Sequence, residues 1–223
     1  MTGDRTVAVA AFVCALALLC GCAPWTVVPI QDSDSTGGSG QAHNSPSPAA
    51  YVDAIWDSKL LPALRSAATD ARTLLDAIAA SPDEAGRRFG RRESGGSWYF
   101  AVQGKGRVLA VDTSSRNGLL QLDIAPFDGR ADVSLQIGPV LRGSALRDAT
   151  GVVRFTDFAN QLAFADVQNE INGRVLKTVL SSLDPRALVG RMVEFMGAFG
   201  LDGTGVPPIR GVAPVLLKVE TQP

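Results

Sequence analysis

Histidine is almost absent from this chain: of 223 residues only His43 is one. Imidazole is the usual general base at neutral pH, the centre of Ser-His-Asp sets and a common zinc ligand. A lone His in a Gly-, Ser- and Pro-rich stretch supplies none of these. Cysteine is scarce too, and Cys14, Cys20 and Cys22 all lie near the start. The remainder can hold no disulfide, thiolate nucleophile or cysteine metal site. Aromatic residues reach only 6%. Trp56, Trp98 and Tyr99 are the candidates for stacking a sugar, and helical spacing assigns Trp56 to a core. Charge of one sign is also missing, with 21 basic against 22 acidic residues and a net charge of -1. No long basic run exists, so a nucleic-acid footprint is excluded. The densest basic patch, Arg87, Arg88, Arg91 and Arg92, is flanked by Glu84 and Glu93 and reads as a solvated helix end. Contact with a phosphate or lipid headgroup is the alternative. The glycines of "GKG" and "GLDGTG" are hairpin-like and do not form a Walker loop.

A membrane-spanning apolar run is lacking as well. Val7 to Leu19 is unbroken for 13 residues, short of the roughly 20 a spanning helix needs. With Arg5 before it, the run fits the apolar region of a secretory signal. "LCGC" then places Leu19, Cys20 and Gly21 ahead of Cys22 in the manner of a bacterial lipobox. A small residue before the cut admits the peptidase, and the Cys22 thiol takes the diacylglyceryl group. Residues 1–21 are therefore read as a signal peptide and Cys22 as the lipidation site. The mature chain keeps no free thiol. Several acyl chains on one residue suffice for stable anchoring, which predicts a periplasmic location on the extracytoplasmic face of a bacterial membrane.

Residues 22–48 read as a lipidated flexible tether, Gly-, Ser- and Pro-rich apart from the extended apolar "TVVPI". A coil of that length has an end-to-end distance of about 25–30 Å. Residues 49–93 read as a helical subdomain. Val52, Ile55, Trp56, Leu60, Leu64, Ala67, Ala71, Leu74, Leu75 and Ile78 recur at steps of three and four. Pro62 predicts a kink or the start of a second helix, and Ser81-Pro82 predicts the start of a further short helix closed by Gly90. From residue 94 to 220 the period changes to two. "SWYFAVQ", "RVLAVDT", "LLQLDIA" and "DVSLQIG" predict an antiparallel meander, with turns at Gly104-Lys105-Gly106 and Phe127-Asp128-Gly129. "RGSALRDA" predicts a short helix, "GVVRFT" a strand, residues 160–183 a helix, and "RMVEFMGAF" and "GVAPVLLKVE" the last strands. The expected fold is α+β: an N-terminal helical subdomain plus a small antiparallel OB-like β-barrel with inserted helices.

Three polar clusters are candidates for small-ligand contact, each with a structural reading beside it. "DTSSR" (Asp112 to Arg116) suits a hairpin tip. "RGSALRDA" offers Arg142, Arg147 and Asp148. Arginine's fork suits a carboxylate or a pair of sugar hydroxyls, or else an ion pair with Asp157 or Asp166. "RFTDFANQLAFADVQNEIN" offers Asp157, Asn160 and Gln161, with Asp157 expected to cap the following helix. Asp112, Asp123, Asp128 and Asp132 could supply a carboxylate dyad, but turn and solubility roles explain them. No cofactor, metal or catalytic residue is expected.

"AYVDAIWDSKLLPAL", "VDTSSR", "ADVSLQIGPVLRGSALRDA", "FTDFANQLAFADVQNEIN" and "GRMVEFMGAF" together resemble the DUF2291 family of predicted periplasmic lipoproteins. The resemblance runs from about Thr26 to Glu220, and the lipobox and "VVPI" match as well. This chain departs from the family in a longer Gly/Ser/Pro insertion after "VVPI". The resemblance implies an OB-like barrel with a helical subdomain and an accessory role beside sugar-type ABC importers. It implies no catalytic residues. The expected function is thus a non-enzymatic, membrane-anchored accessory or binding module, with membrane lipid and sugar importer components as partners. Direct carbohydrate binding and, behind it, a carboxylate-dependent hydrolase are the alternatives.

Overall fold

The computed structural model describes residues 46–92, 96–201 and 208–220. The signal, Cys22, "TVVPI" and His43 lie outside the described residues. The first helix, α1 (Pro48–Ile55), begins where Ser47 Oγ accepts the Ala50 N–H at 3.2 Å and Pro48 occupies the first turn. A π-helical turn, Trp56–Leu60, joins it to α2 (Leu61–Ala67). Of the two outcomes expected at Pro62, a kink or a new helix, the structure has the new helix. The wide turn precedes it, and there the Leu61 N–H reaches back to the Trp56 carbonyl. Pro62 then lies in the first turn of α2, where a missing N–H is tolerated. Val52, Ile55, Trp56, Leu60 and Leu64 are buried along one face. A two-residue strand, β1 (Thr69–Asp70), leads to α3 (Ala71–Ala80), capped by Asp70 Oδ1 on the Thr73 N–H at 3.1 Å. Ser81 caps α4 (Pro82–Phe89), and β2 (Gly90–Arg91) follows.

Five strands then close on themselves: β3 (Trp98–Asp112), β4 (Leu119–Asp123), β5 (Val133–Gln136), β6 (Met192–Leu201) and β7 (Ile209–Val219). The pairing runs β3-β4-β5-β7-β6 and returns from β6 to β3, while β1 and β2 add short pairs to β3. Most neighbours are antiparallel, but β5 pairs with β7 in parallel. This order is that of an OB-like barrel. Alternation along the strands buries Phe100, Val102, Leu120, Leu122, Leu135, Phe195 and Phe199, with the Phe100 and Phe199 rings stacked at 5.3 Å.

Two sequence expectations fail here for physical reasons. Gly104-Lys105-Gly106 is not a turn: β3 runs through it as one 15-residue strand. The glycines are there for closeness. A Cβ on Gly104 would lie 3.2 Å from Ala71, and one on Gly106 would lie 3.1 Å from the Asp123 carbonyl. Near Gly106 the strand passes from its partner β6 to its partner β4, with Arg107 registered on both. The second failure is "GVVRFT", which forms no strand. Its end is a 3-10 turn, Phe155–Asp157, within the long connection from β5 to β6. That connection also holds α5 (Ala145–Asp148) and α6 (Gln161–Val175), which continues through a π-helical turn, Leu176–Leu180.

Candidate functional site

Arg142, Arg147, Asp148, Asp157, Asn160 and Gln161 all belong to the connection between β5 and β6, while "DTSSR" lies between β3 and β4. The fold does not gather them into one site. Asn160 caps α6, its Oδ1 accepting the Ala163 N–H at 2.9 Å. Asp157, expected in that role, sits too early. It accepts the Arg154 N–H at 3.3 Å, pairs with the Arg154 guanidinium at 3.4 Å and so closes the 3-10 turn. Burial and the Asp157 carboxylate both push the Tyr51 phenol above its usual range, which ties this turn to α1. Gln161 is exposed in the first turn of α6. Arg142 has an exposed side chain. Its backbone is what matters: the N–H donates to Gln136 Oε1 at 2.7 Å, and the carbonyl accepts from Gln136 Nε2 at 3.0 Å.

Arg147 and Asp148 are the members that meet. They face each other across two hydrogen bonds, Nε to Oδ1 at 2.6 Å and Nη2 to Oδ2 at 3.0 Å. Arg147 Nη1 also donates to the Phe164 carbonyl at 3.2 Å, and its guanidinium lies 3.6 Å from the Phe164 ring centre. The expected partners, Asp157 and Asp166, are displaced by the adjacent residue because the turn of α5 points both side chains inward. Their side chains are only 11% and 17% exposed. A cavity of about 160 Å³ opens beside them, lined also by Arg91, Tyr99, Gly151 and Arg154. Arg91 lies against Gly151, where φ is +69° and a Cβ would strike the guanidinium. The volume suits a few waters and falls below the roughly 300 Å³ of ordinary ligand pockets.

A larger groove, of about 600 Å³, lies elsewhere, between Arg65 of α2, the start of α3 and the outer faces of β3, β6 and β7. That size is within the ordinary range for small ligands. Several of its charges are already held. Arg72 donates to the Ala125 carbonyl at 2.8 Å and pairs with Asp132 at 3.4 Å. Lys105 pairs with Glu220, whose hydrogen bond raises the Lys105 pKa. Arg65, Gln103 and Glu194 line the groove and make no side-chain hydrogen bond or ion pair among the described residues. Phe195, Met196 and Leu216 add an apolar lining. Sequence reasoning missed this site. Its residues stand about 40 and 90 positions apart, and only the pairing of β3 with β6 (Gln103 opposite Met196, Lys105 opposite Glu194) assembles them.

The carboxylates weighed as a catalytic dyad hold turns. Asp112 Oδ1 accepts the Ser114 N–H and Asp128 Oδ1 the Arg130 N–H, each at 2.9 Å. Asp132 Oδ2 accepts the Ile124 N–H at 3.0 Å, and Asp123 Oδ2 the Gly129 N–H at 2.9 Å. Asp123 Oδ1 is buried without a hydrogen-bond partner among the described residues. No group of three or more His, Cys, Asp or Glu side chains able to hold a metal ion occurs among the described residues.

The chain belongs to the DUF2291 family, described as predicted periplasmic lipoproteins, whose model matches residues 12–218. Membership locates it outside the cytoplasm, anchored to a membrane by lipid. A crystal structure of an OB-fold protein from Thermotoga maritima is similar to it, with a TM-score of 0.67 and 22% identity over 79% of this chain and 99% of that one. At that identity the likeness shows the fold. No curated protein matches the chain.

Proposed function

We propose that this protein is a non-enzymatic binding module, anchored through Cys22, that serves a sugar-type ABC importer on the extracytoplasmic face. The observation that carries the reading is the 600 Å³ groove, whose Arg65, Gln103 and Glu194 make no side-chain hydrogen bond or close ion pair among the described residues, Glu194 acting on the Lys105 opposite it only through space. Open polar groups above an apolar floor suit recognition of a polar surface or solute. The other conspicuous polar groups, Arg147, Asp148, Asp157 and Asn160, bond within the protein. That speaks for a scaffold role in their case and against the ligand role the sequence suggested. The importer as partner rests on the family resemblance.

Affinity purification from detergent extract, with Cys22 intact, tests the proposal. Permease or solute-binding subunits should be recovered, and Arg65→Ala with Glu194→Gln should abolish their recovery. Recovery of unrelated envelope proteins alone would overturn the importer as partner. A second reading, direct carbohydrate binding, is favoured by the groove's volume. A thermal-shift screen of sugars separates the two, since a scaffold gives no shift.

A further inference from the structure

We infer that the segment from Phe155 to Phe164, backed by the first turn of α1, is the face this protein turns to the lipid surface. The inference rests on the anchor at Cys22 proposed above. Leu162 is 71% exposed and Phe155 46% exposed, in a segment of ten residues. These side chains sit on a built platform. The Phe155 ring meets Phe164 edge-on at 5.5 Å, Phe164 lies 5.7 Å from Phe158, and Phe158 meets Tyr51 edge-on at 5.0 Å. Arg147 covers Phe164, and Arg154, exposed and next to Phe155 in the chain, is paired with Asp157 at 3.4 Å, so the segment carries no net charge from this pair.

The place of this cluster in the chain selects lipid as the occupant. Tyr51 is one turn from Ser47, where the chain from Cys22 enters the folded body. Residues 22–45 precede the described residues, and a flexible chain of that length has a reach of about 25–30 Å. A folded body of this size is about 40 Å across. The chain that leads from Cys22 joins the described residues at the α1 end, so a lipid anchor there favours that end as the one nearest the bilayer. Exposed apolar side chains on a face without excess negative charge are suited to the boundary between headgroups and acyl chains. Two such residues bind a free protein weakly, but a tether of this length keeps the surface at high effective concentration.

The mature chain has no other free thiol, so Leu162→Cys in the full lipidated protein can carry a single environment-sensitive fluorophore. The labelled protein is reconstituted into phosphatidylethanolamine and phosphatidylglycerol vesicles with a nitroxide high on the acyl chain. Phe127→Cys and Val189→Cys, both exposed and outside the segment, serve as controls. Quenching at Leu162 should clearly exceed that at either control, as expected for a side chain at the interface. Equal quenching at the three positions overturns the inference. So does a Leu162 label shielded from both the lipid nitroxide and aqueous iodide, because a second copy or another protein then covers the face. The mass of the N-terminal peptide reports the lipid separately. A chain without lipid at Cys22 overturns the anchor, and the membrane face with it.

Discussion

The two cavities differ in what their charges are doing. Beside the small one, Arg147 and Asp148 face each other largely shielded from bulk solvent, and Arg154 is taken by Asp157. Along the large one, Arg65 and Glu194 have no such partners among the described residues. The first arrangement resembles a core built from ions. The second leaves charge available to something outside the chain. Conspicuous polar clustering in a sequence can therefore mark a joint, while a site is assembled from residues far apart.

Removing one member of the joint should produce the largest effect. Arg147→Leu leaves the Asp148 carboxylate part-buried and unpaired, frees the Phe164 carbonyl and removes the guanidinium from the Phe164 ring. Breaking such a pair costs about 2–4 kcal/mol. Asp148→Leu should cost a similar amount, and the double variant clearly less than the sum, with a coupling of about 1 kcal/mol or more. Urea denaturation of the four proteins measures this. Additive costs would mean that the pair is a bystander and that Arg147 is available to a ligand.

Gln136→Leu should come next. Its amide links three segments: it bonds the backbone of Arg142 twice, the Gly211 carbonyl at 2.7 Å and the Asn117 side chain at 3.4 Å. Leucine fills the volume but strands buried backbone groups, at a cost of about 2–3 kcal/mol. A loss below about 0.5 kcal/mol, the scale of an ordinary surface change, would show that water replaces the amide.

Much of the framework was legible in the sequence because it rests on local rules. Periods of two and of three to four marked the strands and helices, and Ser81-Pro82 announced a helix start through a short-range hydrogen bond, whereas the break at Thr69-Asp70 within the apolar stripe was not read. Three other things were not legible. Gly104 and Gly106 imitate a turn, and the reason they are glycine is the approach of Ala71 and the Asp123 carbonyl from distant parts of the chain. Asp157 and Asn160 are both good caps, and a three-residue turn decides which one serves α6. The groove has no sequence signature, since Arg65 reads as a solvated helix residue and Glu194 as one polar step in an alternating strand.

Groove substitutions should leave the fold almost untouched. Arg65→Ala and Glu194→Gln remove exposed groups without partners among the described residues, so each should change stability by less than about 0.5 kcal/mol. The same changes should cancel any stabilisation by a bound solute, which reaches about 2.7 kcal/mol when the solute is at 100 times its dissociation constant. Stability lost without any ligand would place Arg65 among the joints and erase the contrast between the cavities.

Asp112 should show the smallest effect, and it tests the same distinction at a third place. Its carboxylate accepts hydrogen bonds from Ser114, through the side chain first and the backbone second, and these hold its pKa below the usual aspartate range. A pKa lower in the folded than in the unfolded chain means that the contribution is present above the unfolded value and is lost as pH falls through the folded one. The group is fully exposed, so solvent screens it and the stability change should be slight. The pKa itself is the better readout. NMR titration of the Asp112 carboxyl carbon should give a value below that of the unfolded chain, and Ser114→Ala should move it back up. An unshifted value in the parent protein would mean that the turn at Asp112 to Arg116 is not held by this carboxylate, leaving "DTSSR" open once more as a place for a ligand to bind.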